Sequence, residues 1–243
     1  MIYRTSQGRL SSGEAIGILL LDTSVPFIPG DVANATSYDF PVRFQKVEGF
    51  TVARAVGLDS TVYPALRRAA VELVGQGVRA ITGDCGFMAL HQRRLADELE
   101  VPVFLTSLLQ IPFILSMIGG RRKVAILTAD GRSLGDDLLA TSGIDATDRL
   151  IIEGMETRPS FYSFGLKENG MLDSSAVENE VVEAGRKIMG EHGDVGAFLL
   201  ECSLLPPYSK ALQDAVGLPV FDYITMINHV FSAVVKKRYS GFL

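Results

Sequence analysis

The chain has 243 residues, 47% of them hydrophobic, enough for two small domains or one large one with a buried core, which excludes a disordered polypeptide. Its net charge of −5, with lysines and arginines scattered, leaves no electrostatic footprint for a nucleic-acid partner. The basic cluster Arg121-Arg122-Lys123 reads as a solvated turn between a helix and a strand.

The polar stretch Met1 to Gly13 has no apolar signal core, so the expected location is cytoplasmic, with reduced cysteines. Strands are predicted at Ile16–Leu21 and Val42–Val47, followed by a helix over Tyr63–Gly75 and a strand at Val78–Thr82. A helix over Met88–Leu99, a strand at Val101–Leu105 and a helix over Leu108–Ile118 come next. The apolar run Val101 to Ile118 includes Thr106, Ser107, Gln110, Pro102 and Pro112, which suits a buried strand and helix and gives no membrane span. The second half continues with strands at Val124–Thr128, Leu150–Ile152, Val195–Leu200 and Pro219–Phe221. Its helices are expected over Ser133–Thr141, Ala176–Gly190, Pro206–Val216 and Tyr223–Lys237. Short β-branched runs alternating with helical patterns predict an α/β fold with mostly parallel four-stranded sheets flanked by helices.

The halves are related. Shifted by 117 residues, Val78 to Phe104 lies on Val195 to Phe221 with eight identities in 27 gap-free columns, including Cys85 on Cys202, the only two cysteines. Chance would give about one or two, so an internal duplication into two pseudo-symmetric domains is the better reading. Asp84 and Glu201 match as the acids preceding the cysteines, and Arg93 matches Lys210. Upstream, Ile16 to Asp22 aligns with Val124 to Asp130, so each half opens with a buried strand that ends at an aspartate.

Ligands of open α/β sheets gather at the carboxyl ends of the strands, where Asp22, Cys85, Asp130 and Cys202 fall. The long loop from Thr23 to Asp39 could cover such a site. Each cysteine sits in a strand-to-helix turn, where unpaired backbone N–H groups favour an anion, either a thiolate or a substrate carboxylate. Such a terminus can bring a thiol pKa down toward neutrality. Asp84 and Glu201 oppose that by like-charge repulsion, unless they turn inward to accept a thiol proton, or they are solvated turn residues. Asp22, which ends the first strand with Thr23, either caps a turn or orients the substrate ammonium or Cys85. Ser203 either bonds a substrate carboxylate or caps a helix, and Thr128 is a further hydroxyl at a strand end. The three histidines lack metal-ligand spacing, and no glycine-rich nucleotide loop or pyridoxal lysine motif stands out, so no metal and no cofactor are expected.

The stretches Ile16-Gly17-Ile18 to Asp22-Thr23, Gly83-Asp84-Cys85-Gly86-Phe87-Met88, Val101-Pro102-Val103, Val124 to Thr128 and Glu201-Cys202-Ser203 resemble the aspartate/glutamate/hydantoin racemase superfamily, which is cofactor-independent. The resemblance runs from Ile16 to about Val230. It implies two α/β domains with the active site in the cleft between them: residues 1–106 plus 221–243, and residues 107–220. Cys85 and Cys202 would then face each other as catalytic residues. Substrate-binding groups would be Asp22, Thr23, Asp84, Gly86, Thr128, Glu201 and Ser203, the backbone amides around Gly86 and Ser203 included. Glutamate racemases typically carry Cys-Asn-Thr and Gly-Cys-Thr-His at the two motifs, whereas this chain has Cys85-Gly86-Phe87 and Glu201-Cys202-Ser203-Leu204. Cys85-Gly86 is closer to hydantoin racemases.

The implied activity is that of an isomerase, a racemase of an amino acid or amino-acid derivative. One thiolate takes the Cα proton and the opposite thiol returns one. The implied partner is a small-molecule carboxylate or a hydantoin-like substrate, and a homo-oligomer stays open. Alternatives are a decarboxylase or a maleate-type cis–trans isomerase of the same superfamily, or a two-lobed binding protein without catalysis.

Overall fold

The computed structural model describes residue 2 and residues 8–242; residues 1, 3–7 and 243, within the expected first domain, lie outside the described residues. Two four-stranded sheets form. The first comprises β1 (Ile16–Leu20), β2 (Val42–Lys46), β3 (Ala80–Gly83) and β4 (Val103–Phe104), in the order β2-β1-β3-β4. The second comprises β5 (Lys123–Thr128), β6 (Leu150–Gly154), β7 (Val195–Leu200) and β8 (Val220–Phe221), in the order β6-β5-β7-β8. Every pairing is parallel, and the two orders are the same when the halves are superposed in sequence, as a duplication requires.

The central strands form where the chain offers uninterrupted apolar residues, because a parallel sheet is covered on both faces, whereas the edge strand β2, Val-Arg-Phe-Gln-Lys, is only half-buried. Thus β7, Val-Gly-Ala-Phe-Leu-Leu, is buried along its whole length, and β1 and β5 nearly so. Helices α1 (Val52–Val56), α2 (Tyr63–Gln76) and α3 (Gln92–Glu98) serve the first sheet. Helix α2 buries Leu66, Ala69, Ala70 and Leu73 at helical spacing and stops at Gly77, whose φ of 92° is the left-handed conformation glycine adopts without strain. It lies close on β1 because residue 17 is glycine: a Cβ there would stand 2.9 Å from Leu73.

The second sheet is flanked by α4 (Ile111–Met117), α5 (Asp136–Thr141), α6 (Pro159–Phe161), α7 (Ser174–Glu191) and α8 (Ser209–Val216). Asp173 caps α7 by accepting from the Ala176 N–H. The last helix, α9 (Tyr223–Val234), returns to the first sheet. There Tyr223, Met226 and Ile227 pack with Ile16, Ile18, Ala80 and Phe104, and the Tyr223 hydroxyl donates to the Leu105 carbonyl at 2.8 Å.

Four expected helices start later than the apolar pattern suggests, α5 at Asp136 rather than Ser133 and three others after a tighter turn. Short 3-10 turns at Gly86–His91, Ser107–Gln110 and Pro206–Tyr208 precede α3, α4 and α8, because the chain leaves each strand sharply and prolines at 112, 206 and 207 set the first turn. Two elements carry no readable period: α1, only five residues long, and α6, which runs on into a π-helical turn, Tyr162–Leu166, of mixed aromatic, serine and glycine residues. No helix among the described residues is long and apolar enough to cross a membrane.

Candidate active site at the carboxyl ends of the two sheets

The two cysteine turns are built alike. Beyond β3 the Asp84 N–H bonds the Leu19 carbonyl at 3.0 Å, and beyond β7 the Glu201 N–H bonds the Leu127 carbonyl at 2.8 Å. Each carries its acid to the end of the neighbouring central strand. Asp84 Oδ1 accepts from the Leu21 N–H at 3.0 Å, and Glu201 Oε2 accepts from the Thr128 hydroxyl at 2.8 Å. The turns then close identically, Met88 N–H to the Cys85 carbonyl and Leu205 N–H to the Cys202 carbonyl, both at 3.1 Å. Backbone N–H groups of Phe87 and Leu204 point at the sulfurs of Cys85 and Cys202.

The turns meet across the halves. The Ser203 hydroxyl donates to the Asp84 carbonyl, and the Ser107 hydroxyl donates to the Leu200 carbonyl at 3.0 Å. Glu201 reaches over Gly86, where any Cβ would collide with its Oε1. Between the turns lies a cleft whose floor holds Asp84, Cys85, Gly86, Glu201, Cys202 and Ser203, with Thr23 at its side. Both sulfurs are free. The walls are apolar: Val25 and Phe27 come from the loop after β1, Val52 and Val56 from α1, and Phe161, Gly165 and Leu166 from α6 and the π-helical turn.

Seven of the nine expected residues therefore come together. Thr128 stands behind Glu201 as its hydroxyl donor, away from the cleft lining. Asp22 turns outward, where it accepts from the Gly49 N–H at 3.1 Å and pairs with Lys46 at 3.4 Å, so its side chain closes a turn. Other residues were not anticipated. Glu168 accepts from the Thr23 hydroxyl and, at 3.3 Å, from the Ser24 N–H, joining the covering segments of the two halves. Asp31 is buried in the loop after β1, its carboxylate accepting from the Ala33 N–H at 2.7 Å. A contact joining residues 145 positions apart has no local signal; Asp31 had only the length of its loop to mark it.

The electrostatics reverse one expectation. Neither thiol is brought down toward neutrality. Burial pushes the Cys85 thiol well up, and Glu201, Asp84 and Cys202 push it further; Cys202 is raised in the same way by burial and then by Glu201. The single N–H at each sulfur is too weak to offset desolvation and two neighbouring acids. Those acids are themselves shifted. Burial raises Asp84 to about 8 and Glu201 to about 7 against the lowering effect of their hydrogen bonds, and raises Asp31 to about 7. Glu201 Oε1 is buried without a hydrogen-bond partner. Among the described residues no lysine, arginine or histidine lines the cleft.

No family model matches the chain. It is 31% identical over 237 residues to dimethylsulfoniopropionate lyase 3 of Emiliania huxleyi (strain CCMP1516), a match that takes in 93% of this chain and 61% of that protein. It is likewise 31% identical over 236 residues to a dimethylsulfoniopropionate lyase of Durusdinium sp. clade D, covering 93% of this chain and 77% of the relative. The chain thus spans about three fifths of the length of the first of these relatives. Among solved structures it resembles the Bacillus anthracis glutamate racemase isoform RacE1, with a TM-score of 0.59, 14% identity and 90% and 82% of the two chains covered. The allantoin racemase of Pseudomonas fluorescens gives a TM-score of 0.58 at 17% identity, covering 91% of each chain. Unliganded arylmalonate decarboxylase gives 0.55 at 17%, covering 91% and 92%.

The solved racemases and decarboxylase bear out the expected two-sheet α/β fold, and the curated relatives correct the expected activity. The curated relatives are lyases, so the reading of the chain as a racemase, and as an isomerase, is overturned; the decarboxylase alternative, itself a lyase, stood nearer. The physical reason is that paired cysteines announce proton removal beside a carboxylate, a step common to inversion and elimination, and leave the fate of the resulting carbanion open. With the duplicated sheets, the twin cysteine turns and these relatives in view, the chain belongs to the dimethylsulfoniopropionate lyase family.

Proposed function

We propose that this chain eliminates dimethyl sulfide from dimethylsulfoniopropionate and leaves acrylate. The observation that carries the reading is a cleft that joins two thiols and two buried acids to apolar walls, with no basic side chain among its described lining residues, in a chain related to lyases of that substrate. The substrate is a zwitterion, with a sulfonium on the carbon β to its carboxylate. A thiolate of Cys85 or Cys202 takes a proton from the carbon next to the carboxylate. The C–H electron pair becomes the carbon–carbon double bond, and the carbon–sulfur bond breaks with its electrons going to sulfur, so the sulfonium leaves as neutral dimethyl sulfide. The protonated cysteine then returns its proton to water.

The raised thiols suit this order of events. In the empty cleft a thiolate is disfavoured by burial and by Glu201 and Asp84, whereas a bound sulfonium supplies the positive charge that stabilises it. We assign the backbone amides of Gly86 and Ser203 to the substrate carboxylate, where negative charge grows as the proton departs. Asp84 and Glu201 face the substrate, Thr128 holds Glu201, Ser203 ties its turn to Asp84, and Thr23 closes the side of the cleft. Asp22 orders the turn that leads into Thr23.

We retain the division into residues 1–106 plus 221–243 and residues 107–220 as the frame of the cleft; the packing of α9 on the first sheet supports it. Both sulfurs must stay reduced, which fits a cytoplasmic setting. The test is release of dimethyl sulfide, measured in the headspace, by the wild type and by Cys85→Ser and Cys202→Ser. Loss of the proton-accepting cysteine costs about 10²–10⁴-fold, and the variant with the larger loss identifies it. Unchanged release by both variants overturns the assignment.

A further inference from the structure

Glu201 is the least satisfied group in the cleft. Its side chain is fully buried, Oε2 is taken by Thr128, and Oε1 has no hydrogen-bond donor. Apart from the Thr128 hydroxyl, nothing offsets its desolvation: no cationic side chain acts on it. Asp84 differs, because a backbone N–H is fastened to its Oδ1. A buried carboxyl atom left unpaired costs free energy, and such groups persist where a ligand completes them. Glu201 lines the same cleft as Phe27, Phe87 and Phe161, and aromatic faces attract methylated onium groups. Among the described residues no lysine or arginine lines the cleft to receive a second carboxylate, so a dianionic substrate finds no counter-charge from them there.

We infer that Glu201 is the specificity-determining residue for the onium end of the substrate, its free Oε1 serving as the counter-charge of a sulfonium or quaternary ammonium group held among the phenylalanine rings. The inference rests on the elimination reading for the identity of the natural substrate, and it goes further in two respects. It names the class accepted, β-onium carboxylates in general, and it separates binding from turnover. An ammonium analogue is bound by the same contacts but holds its amine too firmly to eliminate, and an uncharged analogue of the same shape is discriminated against.

Isothermal titration of the chain with β-trimethylammonium propionate and with its carbon isostere, β-tert-butylpropionate, tests this without any reaction. The wild type is expected to bind the ammonium compound about tenfold or more tightly than the carbon compound, since only the charge differs. In Glu201→Gln, which keeps the shape and the Thr128 contact, the ratio is expected to fall to roughly threefold or less through loss of ammonium binding. Equal or tighter binding of the carbon compound by the wild type overturns the inference, as does an unchanged ratio in Glu201→Gln. Should that variant fail to fold, Glu201→Asp, still charged but one methylene shorter, is expected to lower the ratio, and an undiminished ratio overturns the inference. An onium preference without dimethyl sulfide release from dimethylsulfoniopropionate contradicts the proposed reaction alone; release without the preference contradicts the role of Glu201 alone.

Discussion

The Glu201 carboxyl group fills the space in which a side chain at Gly86 would grow. A Cβ built on Gly86 would strike Glu201 Oε1 and stand 2.7 Å from the Glu201 backbone oxygen. The glycine after the first cysteine is therefore the complement of the acid before the second.

Gly86→Ala is accordingly expected to displace Glu201, to cost about 1–3 kcal/mol of stability by overpacking, and to lower dimethyl sulfide release by about tenfold or more. Gly190→Ala in α7, with open space around residue 190, is the control and should be neutral or stabilising by up to about 1 kcal/mol. Thermal melts and turnover of the two variants check the contrast.

Asp84 and Glu201 tie stability to pH. Their folded pKa values, about 8 and about 7, lie above the ordinary 3.8 and 4.5, so the folded state binds more protons than the unfolded chain between those values. The stabilisation from their neutral forms is present in full at acid pH, falls as pH rises through the folded values, and is gone above them. The empty protein should melt at lower temperature at about pH 8 than at about pH 5, and Asp84→Asn and Glu201→Gln should each flatten that slope. A melting temperature that rises across the window contradicts the burial of these acids.

The cysteines of the empty protein should react slowly with iodoacetamide at neutral pH, with no inflection there, because burial and then Glu201 hold the Cys85 thiol up. Removing the charge with Glu201→Gln should speed alkylation of Cys85 several-fold at about pH 8. A wild-type inflection near neutrality, located on Cys85 by peptide mass analysis, contradicts this electrostatic picture.

Glu168 holds the cleft-lining Thr23 and its neighbour Ser24 while its own backbone sits at a φ of 52°, in the left-handed region that a side chain disfavours. Glu168→Gly relieves the backbone and removes the link. Its stability should change by no more than about 1 kcal/mol while KM rises several-fold, a split between folding and substrate retention that melts and steady-state kinetics resolve.

Residue order reveals local features and hides distant ones. The eight strands among the described residues were legible as short β-branched runs, the central ones apolar and covered on both faces, and the pairing of the candidate site's two turns was legible because duplication set Cys85 against Cys202 in two copies of one turn. The segment Pro159–Leu166 was not, since an aromatic and glycine-rich π-helical turn has no period to detect. The thiol pKa values were misjudged because a residue string does not distinguish a solvated acid beside a cysteine from a buried one. The reaction was misjudged because inversion and elimination begin with the same proton transfer.

Elimination begun by proton removal beside the carboxylate is put to the sharpest trial by dimethylsulfoniopropionate carrying two deuteriums on that carbon. Dimethyl sulfide and acrylate are expected in equal amounts, the acrylate having lost at least one deuterium, with both products suppressed in the Cys85→Ser, Cys202→Ser double variant. No dimethyl sulfide, or its release together with a hydroxypropionate that keeps both deuteriums, would contradict that mechanism.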